Sequence, residues 1–89
     1  MHFEWDRSKA EANRRKHKVT FDEAVGVFYD ALSATFTDPD SLRTGERLVT
    51  IGQSSRGRLL VVVHAEQGET IRIISARLAT AHERKRHES

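Results

Sequence analysis

The 89-residue chain has no cysteine, which excludes a disulfide scaffold, a thiolate nucleophile and every thiolate-ligated zinc or iron–sulfur site. Stability must come from packing. Long apolar runs are missing as well: the longest aliphatic stretch is Leu59 to Val63, and the acidic start Met1–Asp6 has no apolar segment behind it. A cytoplasmic protein that does not engage a membrane is expected. No phosphate-binding glycine loop, nucleophile elbow or dinucleotide fingerprint occurs. The five histidines (His2, His17, His64, His82 and His87) are scattered without metal-ligand spacing, so neither a metal site nor a cofactor is expected. No repeat or low-complexity segment interrupts the chain, which reads as one domain over residues 1–89 with a modest core.

What is present is charge, unevenly distributed. The formal net charge is only +2. Before Gly45, seven Lys and Arg stand against eight acids; from Glu46 onward eight stand against five, and seven of those eight cations are arginine. The planar guanidinium fork suits a bidentate grip on phosphate, so an arginine-rich half is consistent with a polyanionic partner as well as with a solvated surface.

Local signals predict an α+β order of two N-terminal helices, a four-stranded antiparallel sheet and a C-terminal helix. Asp6 is a natural N-cap for a basic helix over 7–18 whose apolar face is thin, Ala10 with Asn13 or Arg14 and then His17. Thr20 and Glu23 form a capping-box pattern, and Val19 with Ala24 a hydrophobic staple, ahead of a helix over 21–28. Four β-compatible runs follow, Leu32–Thr37, Arg47–Gly52, Arg58–Ala65 and Thr70–Ala76, separated by turn residues at Asp38–Ser41, Gln53–Gly57 and Glu66–Glu69. Such short loops favour a meander. Leu59 to Val63 is apolar on both faces and should be the central strand, covered on each side. Residues 79–88 return to a helix that is charged nearly all round.

Candidate chemistry lies on and beside that sheet. Arg47, Arg58, Arg72 and Arg77 fall in or next to strands, with Arg56 in a loop. An arginine inside the run Thr70–Ile74 is costly unless paired or exposed, so Arg72 should point off the core. It could stabilise the extra charge of a phosphate in a transition state, or pair with Glu46 or Glu69 across strands. His64, near the end of the central strand, could act as acid or base, or be a partly buried imidazole bonded to a neighbour. His17 could satisfy orphan carbonyls at the end of the first helix. Glu83 and His87, four apart, share a face if their segment is helical.

The string Phe3-x-Trp5-Asp6-x-x-Lys9-x-x-x-Asn13-x-x-Lys16-His17-x-Val19-x-Phe21-x-Glu23-Ala24 resembles the opening signature of the BrnT family. The later segments Glu46-Arg47, Ile51-Gly52-x-Ser54-x-Arg56-Gly57-Arg58 through Val63, Ile71 through Arg77, and Glu83-Arg84 are similar to the rest of its pattern. The resemblance implies a RelE/ParE-like fold and a toxin of a type II toxin–antitoxin system. It further implies ribonuclease activity that slows translation, and a BrnA-type antitoxin with a ribbon-helix-helix domain. Operator DNA would be bound only through the toxin–antitoxin complex. The family commonly has a tyrosine near the end of the last helix, where this sequence has His87.

On that basis the expected chemistry is metal-independent attack of an RNA 2′-hydroxyl on the adjacent phosphate. Arg72 and Arg77 would stabilise the phosphate. Glu46 or His64 would accept the proton, and Glu83 or His87 would transfer protons or position groups. Arg47, Arg56 and Arg58 would hold substrate. Two alternatives stay open at this stage: a non-enzymatic toxin that inhibits a host protein such as gyrase, and a plain nucleic-acid-binding module.

Overall fold

A computed structural model of the protein describes residues 1–39 and 46–88. The elements run β1 (His2–Glu4), α1 (Arg7–His17), α2 (Phe21–Val25), a 3₁₀ turn (Gly26–Tyr29), β2 (Ala34–Thr37), β3 (Leu48–Gln53), β4 (Leu59–Gln67), β5 (Thr70–Leu78) and α3 (Ala81–Glu88). The strands form one sheet in the order β1-β5-β4-β3-β2.

Each helix starts where a side chain can satisfy its first N–H groups. The Asp6 carboxylate accepts from Lys9 N at 3.0 Å, and Thr20 Oγ1 accepts from Glu23 N at 3.1 Å. The box expected at Thr20 is only half formed, because Glu23 turns inward to other partners. Val19 and Ala24, the expected staple, are both fully buried. Helix α1 ends with Lys18 in the left-handed region at φ 59°, its N–H returning to Arg14 O. Helix α2 tightens into the 3₁₀ turn at Gly26, where an added Cβ would lie 2.7 Å from Ser55 N; only glycine permits that approach.

The sheet corrects the sequence expectation in two respects. Among the described residues it has five strands rather than four, and it is mixed rather than purely antiparallel. Strand β1 pairs in parallel with β5, aligning His2 with Thr70, Phe3 with Ile71 and Glu4 with Arg72. Three residues carry too little alternation to mark a strand, and the partner lies almost seventy residues away. The strands β2 to β5 form the expected antiparallel meander. Of the turn expected at Asp38–Ser41, the positions Asp40 and Ser41 lie outside the described residues.

Strand β4 is central, as its apolar run predicts. Its two faces differ. On one, Leu60 and Val62 pack with Ile73 and Ala76 against Val19, Phe21, Ala24 and Val27, supported by Phe3, Trp5 and Phe28. On the other, Leu59 and Val61 join Val49 and Ile51, with Val63 and Ala79 alongside. Among the described residues, no helix covers that second cluster as the first is covered.

Asn13 locks α1 to the sheet. Strand β1 stops at the level of Arg72, so among the described residues β5 beyond it lacks a strand neighbour on that side. The Asn13 amide takes that neighbour's place: Nδ2 donates to Ala76 O at 2.8 Å and Val19 O at 3.0 Å, and Oδ1 accepts from Ala76 N at 3.1 Å.

A shift of register completes the frame. Val63 pairs with Ser75 but His64 pairs with Ile73, leaving Ile74 as an extra residue in β5. The bulge reverses the alternation of β5. Ile73 and Ala76, three apart, therefore both join the helix-covered core, while Ser75 and Arg77 face the other way.

Candidate active site

The face that the first two helices leave uncovered forms a cleft of about 820 Å³. Cross-strand pairing builds its floor in two rows. One row runs Phe36, Val49, Val63, Ser75, and the next runs Ala34, Ile51, Val61, Arg77. The floor is thus largely aliphatic. Asp38 and Pro39 line it beside β2, and Glu83, Arg86 and His87 of α3 line it beside β5.

The wall at β5 is an organised ion pair. Arg77 Nη1 donates to Glu83 Oε1 at 2.7 Å and Nη2 to Oε2 at 2.9 Å, with a longer bond from Nη1 to Leu78 O at 3.3 Å. Glu83 is itself fixed by a full capping box. Thr80 Oγ1 accepts from Glu83 N at 3.1 Å, and Thr80 N donates to Glu83 Oε1 at 2.9 Å. The Arg77 guanidinium, then the Thr80 N–H, hold the Glu83 carboxyl down at about 2, so it is a carboxylate at any working pH. Those bonds use the end of the guanidinium formed by Nη1 and Nη2. The fork made by Nε–H and the outer Nη2–H carries none of them, and it has the geometry of a bidentate phosphate donor.

His87 lines the same cleft one helical turn after Glu83. It also reaches the neighbourhood of Asp30, whose carboxyl is lowered mainly by the Gln53 and Leu32 backbone N–H groups and to a smaller extent by the His87 charge. The structure therefore brings together three of the expected residues, Arg77, Glu83 and His87. Ser75 and Arg86 join them without having been singled out by sequence. The Thr80-x-x-Glu83 spacing was a legible capping-box signal for the carboxylate's anchor.

The remaining candidates lie elsewhere. Arg72 is on the same face as Arg77, because the bulge brings both to that side, but its β4 partner Ala65 is four residues from Val61, about 13 Å along the strand. There Arg72 Nη1 bonds Glu4 Oε2 at 2.9 Å, an exposed pair made by β1 rather than by Glu46 or Glu69. His64 is on the helix-covered face and wholly inaccessible. Its Nε2 lies 2.7 Å from Thr50 Oγ1, which is 2.7 Å from Thr35 Oγ1, and its ring meets Phe28 edge-on at 4.8 Å. Burial pushes its pKa down to about 4, so it sits in the core as neutral imidazole.

Arg58 also points to the helices. It forks onto the buried Glu23 carboxylate, with Nε to Oε2 at 2.9 Å and a second, shorter bond from Nη2 to Oε1, and reaches Lys18 O at 3.2 Å. Ser54 Oγ completes that carboxylate's shell at 2.7 Å, and the exposed Arg56 stands 3.8 Å from it. Glu46 is exposed just before β3, and Arg47 presents its carbonyl to Asp38 N at 3.0 Å. Among the described residues, no group of three or more His, Cys, Asp or Glu could hold a metal ion, and no helix is long and apolar enough to cross a membrane.

A family model described as the ribonuclease toxin BrnT of type II toxin–antitoxin systems matches residues 5–83. The chain belongs to the BrnT family. It is accordingly a ribonuclease toxin of a type II toxin–antitoxin system, a class whose members pair with an antitoxin. The solved structure of the Brucella abortus ribonuclease toxin BrnT, a crystal structure at 1.1 Å, is similar over 90% of this chain and 97% of that one. Its TM-score is 0.69 at 26% identity. No curated protein sequence matches. The BrnT match takes in Arg77 and Glu83 and stops there, so Arg86 and His87 lie beyond the matched span.

Proposed function

We propose that this BrnT-family toxin is an endoribonuclease that cleaves RNA in the open cleft without a metal. The reading is carried by one observation: Arg77, gripped end-on by a fixed carboxylate, keeps its side fork for a phosphate on the wall of the cleft. The 2′-hydroxyl oxygen attacks the adjacent phosphorus as the bond to the 5′-oxygen breaks. His87 takes the 2′-hydroxyl proton, and water supplies a proton to the departing 5′-oxygen. Arg77 neutralises the charge that grows on the phosphate. Glu83 is a positioning residue, since a carboxylate held near 2 is a poor proton acceptor at neutral pH. The resemblance to the BrnT family supports a ribbon-helix-helix antitoxin that covers this cleft, operator binding through the complex, and a cytoplasmic setting.

The test is single-turnover cleavage of RNA in excess chelator. Arg77→Ala should cut the rate by roughly 10²-fold or more while leaving the melting temperature close to wild type. Arg77→Lys should recover little, because a point charge cannot replace the fork. A wild-type rate in Arg77→Ala, or cleavage that chelator abolishes, would contradict the proposal.

A further inference from the structure

Phe36 is the one aromatic side chain on the cleft floor among the described residues, and it is in an unusual place. It lies on β2, an edge strand, where every residue is exposed, and it remains 51% accessible. A large apolar ring on an open sheet edge invites association, and natural edges are more often blunted by charge or proline. Its neighbours explain its direction but not its identity. Pairing with Val49 aims the ring over the floor, while Thr35 points to the other face and bonds Thr50. Any β-branched residue would satisfy the strand.

The two ends of the floor are complementary to the two parts of a nucleotide chain. Arg77 at the β5 end offers a phosphate fork; Phe36 at the β2 end offers a π-face. Three strand spacings and one row of the sheet, together about 16 Å between backbones, separate them, and both side chains reach over the cleft. Between them, Val49, Val63, Ile51 and Val61 carry no side-chain hydrogen-bonding group that could distinguish one base from another. We infer that Phe36 is a base-stacking subsite that holds a nucleobase of the RNA strand whose phosphate Arg77 grips, and that it accepts all four bases. This rests on the ribonuclease reading above, but it concerns binding and can be tested apart from cleavage.

The probe is a set of trinucleotides with a 2′-deoxy sugar at the attacking position, which bind without being cut, varied in the base beside the central phosphate. Phe36→Ala should weaken their binding by roughly fivefold to a hundredfold, the range for one base–aromatic stack. Phe36→Leu should recover little. Phe36→Trp should bind at least as well as wild type, and its added indole fluorescence should be quenched on binding, with wild type reporting the background of Trp5. The four bases should differ by less than about fivefold, within the smallest of those stacking effects.

Unchanged affinity in Phe36→Ala, full recovery in Phe36→Leu, an unquenched indole or a strong preference for one base would each overturn the inference. Loss of antitoxin binding with trinucleotide binding intact would assign the ring to the protein partner and overturn it too. If Arg77→Ala cleaves normally while Phe36→Ala still loses trinucleotide affinity, the cleavage reading fails and the subsite stands.

Discussion

The two faces of the sheet use polar residues in opposite ways. On the helix-covered face they are buried and committed to structure: Asn13 supplies a missing strand's bonds, Glu23 is enclosed by Ser54 and Arg58, and His64 ends a Thr35–Thr50 chain. On the open face the cleft floor is mostly aliphatic, and the charge that lines the cleft stands at its walls, where Arg77 and Glu83 hold each other in a defined orientation. A charged residue type therefore says little about function until its face and row are known. Arg58 and Arg77 both make bidentate bonds to a glutamate, yet one carboxylate is 4% exposed among helices and the other opens onto a cleft.

The comparison can be broken first at Arg58. Arg58→Ala leaves the buried Glu23 carboxylate with Ser54 and only a distant Arg56, which should cost about 3–5 kcal/mol in urea unfolding. Replacing the pair together, Glu23→Leu with Arg58→Met, should restore much of that loss. A stability near wild type for Arg58→Ala would mean that the helix-side pair is not structural.

His64 sharpens the same contrast through pH. Its folded pKa of about 4 lies below the unfolded value of 6.5, so the unfolded chain takes up the proton first. The stability contributed by neutral His64 is fully present above pH 6.5, falls as pH drops toward 4, and changes no further below that. The loss should amount to roughly 3 kcal/mol across that window. His64→Gln should flatten it. A stability profile level from pH 7 to 4.5 in the wild type would place the imidazole in contact with solvent.

How much of this was legible in the sequence depended on how local the signal was. Asp6, Thr20 and the apolar run of β4 each announce their element within a few residues, and the meander follows from the turns between runs. Strand β1 could not be read, because its only warrant is a distant edge of β5. The bulge at Ile74 had the larger consequence for the site. Regular alternation would put Arg72 and Arg77, five apart, on opposite faces; the extra residue puts both on the open face, and their level along β5 then separates the arginine paired with Glu4 from the one in the cleft. His64 shows the converse limit: a histidine inside an apolar strand can be read as catalyst or as core, and the direction of its side chain decides.

Arg72 is expected to be the least sensitive of these sites, since its pair with Glu4 is about half exposed on each side and should contribute less than about 1 kcal/mol. That makes it the natural control for the central claim, that the catalytic guanidinium is the one at the cleft wall. The direct measurement is single-turnover RNA cleavage by Arg77→Ala and Arg72→Ala under the same conditions, with melting temperatures taken on the same preparations. The account predicts two stable proteins, Arg77→Ala slower by roughly 10²-fold or more and Arg72→Ala within a few-fold of wild type. A stable Arg72→Ala that loses cleavage while Arg77→Ala retains it would contradict the account.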